Sequence, residues 1–175
     1  MTRTTNARVA GFTFWIYFLA GIGTMVLVGN APATTVLGLV TSFSALVLGV
    51  TLYAITRDQD RDLAMIALAC RVIEAVPGRG EIYFAVGSTI FAWLLLRGRM
   101  IPAGLAWLGV IASAFLVVLL PLQIAGYFGG PGAWSSPVTW AVWLPLLIFE
   151  LTLAVWLITK GAATPIQRVT TYELR

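Results

Sequence analysis

Residues 101–125 read IPAGLAWLGVIASAFLVVLLPLQIA, a run without one ionisable side chain. A membrane-spanning helix needs about 20 predominantly apolar residues. This stretch meets that length, and it lacks the alternation of apolar and polar positions that marks a barrel strand. It therefore predicts a helix in lipid. Five further apolar runs flank it, at 10–29, 33–56, 62–76, 82–96 and 138–159. The chain as a whole is 59% hydrophobic and 10% charged, with a mean hydropathy of +0.92, whereas roughly a quarter of an ordinary soluble domain is charged. The expectation is an all-α polytopic transmembrane bundle of six helices, forming one integral membrane domain over 1–175.

The breaks between the runs carry turn chemistry. Gly29, Asn30 and Pro32 end the first, and the polar series from Arg57 to Asp62 ends the second. Pro77, Gly78, Arg79 and Gly80 separate the third from the fourth. A tight turn follows from Arg97 to Pro102, and the longest loop runs from Gly126 to Pro137. No linker is long enough to divide the chain into two domains. Ala31-Pro32-Ala33 imitates a signal-peptide cleavage site. The apolar stretch before it is longer than a typical signal core, so an uncleaved anchor is expected.

Basic residues set the direction. With the N-terminus inside, Arg3, Arg8, Arg57, Arg61, Arg97, Arg99, Lys160, Arg168 and Arg175 all fall on the cytoplasmic side, which the positive-inside rule favours. Both termini are expected in the cytoplasm and the protein in the cell inner (plasma) membrane as a multi-pass chain. Topology thus accounts for the net charge of +4 without nucleic acid. Trp134, Trp140, Trp143, Tyr127 and Tyr83 then lie near the outer interface, and Tyr53, Trp93 and Trp156 near the inner one, as an aromatic belt requires. The small residues Gly38, Thr41, Ser42, Ala45 and Gly49 share one face of the second helix, and Gly104, Gly109, Ala112 and Ser113 recur in the fifth, predicting close helix contacts.

The chain has no histidine and a single cysteine, Cys70. Imidazole-based catalysis, zinc–histidine sites, an internal disulfide and thiolate clusters are therefore excluded. No cofactor and no metal are expected. Neither a Gly-rich phosphate loop nor a G-x-S-x-G elbow nor an H-E-x-x-H helix occurs, which argues against a membrane enzyme without excluding one. Cys70 reads as a small packing residue.

Three ionisable residues stand inside the spans: Arg71, Glu74 and Glu150. Each costs several kcal/mol in lipid unless paired or hydrated, so they must face the bundle interior. Arg71 lies nine residues past Asp62 and Glu150 ten before Lys160, which puts both roughly 14 to 15 Å from the inner interface at 1.5 Å rise per residue. At one depth they can pair if the third and sixth helices are neighbours. Glu74 lies three residues beyond Arg71, at a spacing that also permits contact. One guanidinium with two carboxylates leaves a site that is net negative or holds one proton, and coupled carboxylates do not reveal from sequence which of them titrates.

The third and fourth runs, at 15 residues each, would reach only about 22 Å against a hydrocarbon core of about 30 Å. Their connection is expected to dip below the outer surface, forming a polar pocket open to the outside. Arg79 and Glu81 would stand at its mouth, Gln123 along its wall, and Arg71, Glu74 and Glu150 at its floor. Two uses of such a site remain open. It binds or transports a small ligand or proton, or it is a structural clamp in a non-catalytic subunit whose helices contact another membrane protein. In either case the lipid bilayer is the surrounding partner.

ARVAG at 7–11, CRVIEA at 70–75 and FELTLAVWLITKG at 149–161 together resemble the bacterial membrane family known as domain of unknown function 4386. That resemblance implies a six-helix inner-membrane protein and implies that Arg71, Glu74 and Glu150 belong to the family pattern. It implies no activity. The chain is shorter than that pattern around the third-to-fourth connection and in the outer loops.

Overall fold

The computed structural model describes residues 1–76, 80–129 and 136–165. Arg79, Trp134, Arg168 and Arg175 lie outside the described residues. Six α-helices account for the architecture: α1 Arg3–Val26, α2 Ala31–Thr56, α3 Arg61–Glu74, α4 Gly80–Arg97, α5 Ala103–Ile124 and α6 Pro137–Thr159. A single 3-10 turn, Tyr127–Gly129, follows α5, and no strand occurs among the described residues. Four helices, α1, α2, α5 and α6, are long and apolar enough to cross a membrane, which marks a membrane protein.

Capping chemistry explains where the helices depart from the hydropathy runs. Asn30 accepts the Ala33 N–H and Asp60 accepts the Leu63 N–H. Residues that read as breakers are therefore the starts of α2 and α3. α1 begins seven residues before its apolar run because Thr2 caps it and because Asn6, Ala7 and Ala10 already face the core while Arg8 stays exposed. Hydropathy marks the lipid-facing length, whereas caps mark the helix. α4 is also longer than expected at 18 residues, about 27 Å. The shortfall against the bilayer is therefore concentrated in α3, whose 14 residues span only about 21 Å.

Each helix packs on its neighbours in sequence, and α6 closes back on α1, so the six form a ring with a lighter contact between α2 and α4. α3 and α6 are not packed against each other. Two helices intervene between them on either route around the ring. One end of the ring gathers the start of α1, the α2–α3 and α4–α5 connections and the end of α6. Arg3 bonds Asp58 at 2.7 Å and the Ala163 carbonyl at 3.2 Å, Arg97 reaches Asp60 at 3.4 Å, and the Ala163 N–H donates to Met100 O. Outward, the bundle presents Phe12, Ile16, Leu19, Phe43, Phe115 and Val118, all exposed. An apolar surface of this extent suits lipid contact.

The close approaches are made at glycines, though not along the whole of each predicted stripe. A Cβ on Gly11 would stand 2.7 Å from the Ala154 carbonyl of α6, and one on Gly109 would enter the Phe149 ring. Gly38 and Gly104 meet nothing within 4 Å. Ring closure rests on Gly11 because backbone sits against backbone there. Gly11→Leu is expected to lower the thermal unfolding midpoint in detergent by an amount equivalent to about 1–3 kcal/mol or more, the usual cost of overpacking. Gly21→Leu, at a position with nothing within 4 Å, should leave the midpoint unchanged.

Candidate functional site: a buried arginine shared by two carboxylates

Arg71 projects from the last turn of α3 into the centre of the ring, and its side chain is 1% exposed. Such depth is possible because α2 and α4 give it room. A Cβ on Gly49 would lie 2.9 Å from the Arg71 Cβ, and one on Gly87 would press on Cys70 at 3.1 Å. Cys70 fills the α3–α4 seam beside Gly87, the packing position expected of it.

The guanidinium is held by three helices. Nη1 donates to both Glu74 oxygens, at 3.0 and 3.3 Å, and Nη2 donates to Ser88 Oγ at 3.0 Å. Glu150 of α6 lies further off, its Oε1 3.6 Å from Nη2 and 3.5 Å from Ser88 Oγ. Arg71 and Glu150 thus meet at one depth, as the residue counts predicted. The length of the arginine side chain, rather than contact between their helices, brings them together. Tyr17 of α1 donates its hydroxyl to Glu74 at 2.9 Å, so the network joins α1, α3, α4 and α6.

Aromatic rings close one side. The Phe84 ring lies 4.9 Å from the guanidinium carbon, a cation–π distance worth about 2 kcal/mol or more when desolvated. Phe84 stacks between Tyr17 and Trp143, with ring centroids 6.5 and 5.9 Å apart and planes within 6° and 12°. Trp143, read from sequence as a belt residue, belongs to this stack as well. On the opposite side a cavity of about 10 Å³ touches Arg71, Ser88 and Glu150 and is otherwise lined by apolar residues such as Phe14, Leu52 and Leu95.

The remaining predicted residues fall elsewhere. Gln123 is buried and donates to Thr139 Oγ1 at 2.9 Å, tying α5 to α6. Glu81 is exposed in the first turn of α4, and neither it nor Gln123 lines the cavity. Among the described residues the three ionisable side chains form one bonded knot with the aromatic stack on one side. Sequence reasoning missed Ser88, Tyr17 and Phe84. For Ser88 a signal existed, since Gly87-Ser88-Thr89 is a small polar patch in an apolar span.

Residues 78–161 match the family model described as Domain of unknown function (DUF4386). The match takes in α4, α5 and α6, hence Ser88 and Glu150 and the whole 149–161 motif, and amounts to just under half of the chain. It does not reach Arg71 or Glu74. No curated protein and no solved structure matches the chain.

Removing one partner from a buried ion pair typically costs 3–5 kcal/mol, because a charge is left uncompensated. Arg71→Leu is expected to lose an amount of that order in equilibrium unfolding. Combining it with Glu74→Leu and Glu150→Leu should recover most of the loss, since no buried charge then remains in the cluster and only the Ser88 and Tyr17 hydroxyls lose their partners.

Proposed function

We propose that the working part of this membrane protein is a site that takes up and releases one proton, built from Arg71, Glu74 and Glu150. The observation that carries it is the imbalance of one guanidinium against two carboxylates, with side chains 1%, 6% and 2% exposed. An uncompensated ion at such depth is strongly disfavoured, and a proton is the smallest species that restores neutrality. The 10 Å³ cavity suits nothing larger than about one water, which favours a proton over an organic ligand as the species handled.

The bundle in this reading spans the cell inner membrane six times with both termini in the cytoplasm. Support comes from the charged end of the ring, where Arg3, Arg57, Arg61, Arg97, Arg99 and Lys160 collect with Asp58, Asp60 and Asp62. That distribution is what the positive-inside rule favours. Single cysteines at Asp58 and Lys160 in a Cys70→Ser background are expected to react with an impermeant maleimide only after the cytoplasmic face is opened. Labelling of intact cells would reverse the orientation.

The bonding within the knot favours a second reading, a structural clamp that fixes helix order. The two readings diverge in infrared spectra of the purified protein in lipid at neutral pH. A proton site shows the C=O stretch of a protonated carboxyl, and that band disappears in Glu150→Gln and in Glu74→Gln, because either variant leaves one carboxylate for one guanidinium. If the wild type lacks the band, and the Arg71→Leu/Glu74→Leu/Glu150→Leu protein supports cells as the wild type does, the knot is a clamp.

A further inference from the structure

The two carboxylates differ in what surrounds them, and the difference has a direction. Glu74 is fully engaged, by two bonds from Nη1 and one from the Tyr17 hydroxyl. Glu150 has only contacts of 3.5 and 3.6 Å. Glu74 thus accepts three hydrogen bonds at 2.9–3.3 Å and Glu150 none closer than 3.5 Å; hydrogen bonds to the charged form favour it, so Glu74 is the better supplied of the two as a carboxylate. Glu150 lines the cavity and Glu74 does not. The Nε–H of Arg71 meets no acceptor among the described residues, although it is buried, and Arg71 also lines that cavity.

Beyond the ions and Ser88, the cavity lies toward the charged end of the ring. Phe14 precedes Tyr17 on the way out from Arg3, Phe91, Ala92 and Leu95 follow Ser88 toward Arg97, and Leu153 follows Glu150 toward Lys160. The opposite side of the knot is covered by the Tyr17–Phe84–Trp143 stack. Other ionisable groups facing Glu150 are few. α3 contributes Arg71 and Glu74, α1 contributes Tyr17, α5 has no ionisable residue, and α2 has only Tyr53, near its end.

Resting on the one-proton reading above, we infer that Glu150 holds the proton and exchanges it only toward the charged end, through a single water seated between its carboxyl, Ser88 and the Arg71 Nε–H. The step is a plain transfer. The Glu150 O–H bond breaks, the proton passes to that water and onward, and the carboxylate left behind is met by Arg71 Nη2. Glu74 stays the permanent counterion of Arg71, sealed from the far side by the ring stack. The protein is thereby one-sided in the state described.

The test is the rate at which the protonated-carboxyl band of the full chain in lipid vesicles shifts when H₂O is replaced by D₂O. Ala92→Val narrows the cavity and should slow the shift several-fold. Trp143→Leu and Trp143→Ala, which open the ring stack without removing the ring that lies against the guanidinium, should leave the rate unchanged, and using both covers the case in which one of them does not fold. Any other pattern overturns the inference, most directly faster exchange in the stack variants with none slowed by Ala92→Val. That result would move the proton to Glu74 while leaving the one-proton reading intact. A wild type without the band would sink the reading itself.

Discussion

A guanidinium that cannot shed its charge sits at the centre of a ring of apolar helices, and its solvation must come from the protein alone. Arginine remains protonated in essentially any protein environment, and lipid offers it nothing. Glu74, Ser88, Glu150 and the face of Phe84 replace the water it would otherwise carry. Because these groups come from α3, α4 and α6, with Tyr17 of α1 behind Glu74, satisfying one side chain fixes the angular position of four helices. Apolar packing in lipid has no comparable directional preference, since a leucine is as comfortable against an acyl chain as against another helix.

The shortness of α3 is part of the same arrangement. Its last turn brings both Arg71 and Glu74 into the core, and Gly80 at the start of α4 stands so close that a Cβ there would lie 2.8 Å from the Glu74 carbonyl. A cation near a helix C-terminus is favoured by the unpaired carbonyls, which suits Arg71. Glu74 at the same place is disfavoured by them and is compensated by the guanidinium and the Tyr17 hydroxyl. The two residues are therefore balanced against each other more than either is against the helix.

Polarity across the knot gives it a sense of direction. Stacked rings lie on one side and a water-sized cavity on the other, so groups that are adjacent in the network have unequal access to the two ends of the bundle. Ser88 is the hinge of this asymmetry, accepting from Arg71 and donating to Glu150. A hydroxyl suits that position because it is donor and acceptor at once.

The amino-acid sequence determined the helices and their number, because lipid imposes a length on apolar runs, and helical rise converts residue counts into relative height. It also placed Arg71 and Glu150 at a common level, which the 3.6 Å approach of their side chains bears out. Only the tertiary structure decided which helices are neighbours. Height along an axis says nothing about position around a ring, and the pair is joined by a long side chain crossing the interior between helices that do not pack on each other. The unequal surroundings of Glu74 and Glu150, the recruitment of Ser88 and Tyr17, and the stacking of Phe84 with Tyr17 and Trp143 beside the knot followed from that lateral arrangement. Side chains that meet across a bundle share no sequence spacing by which they could be found.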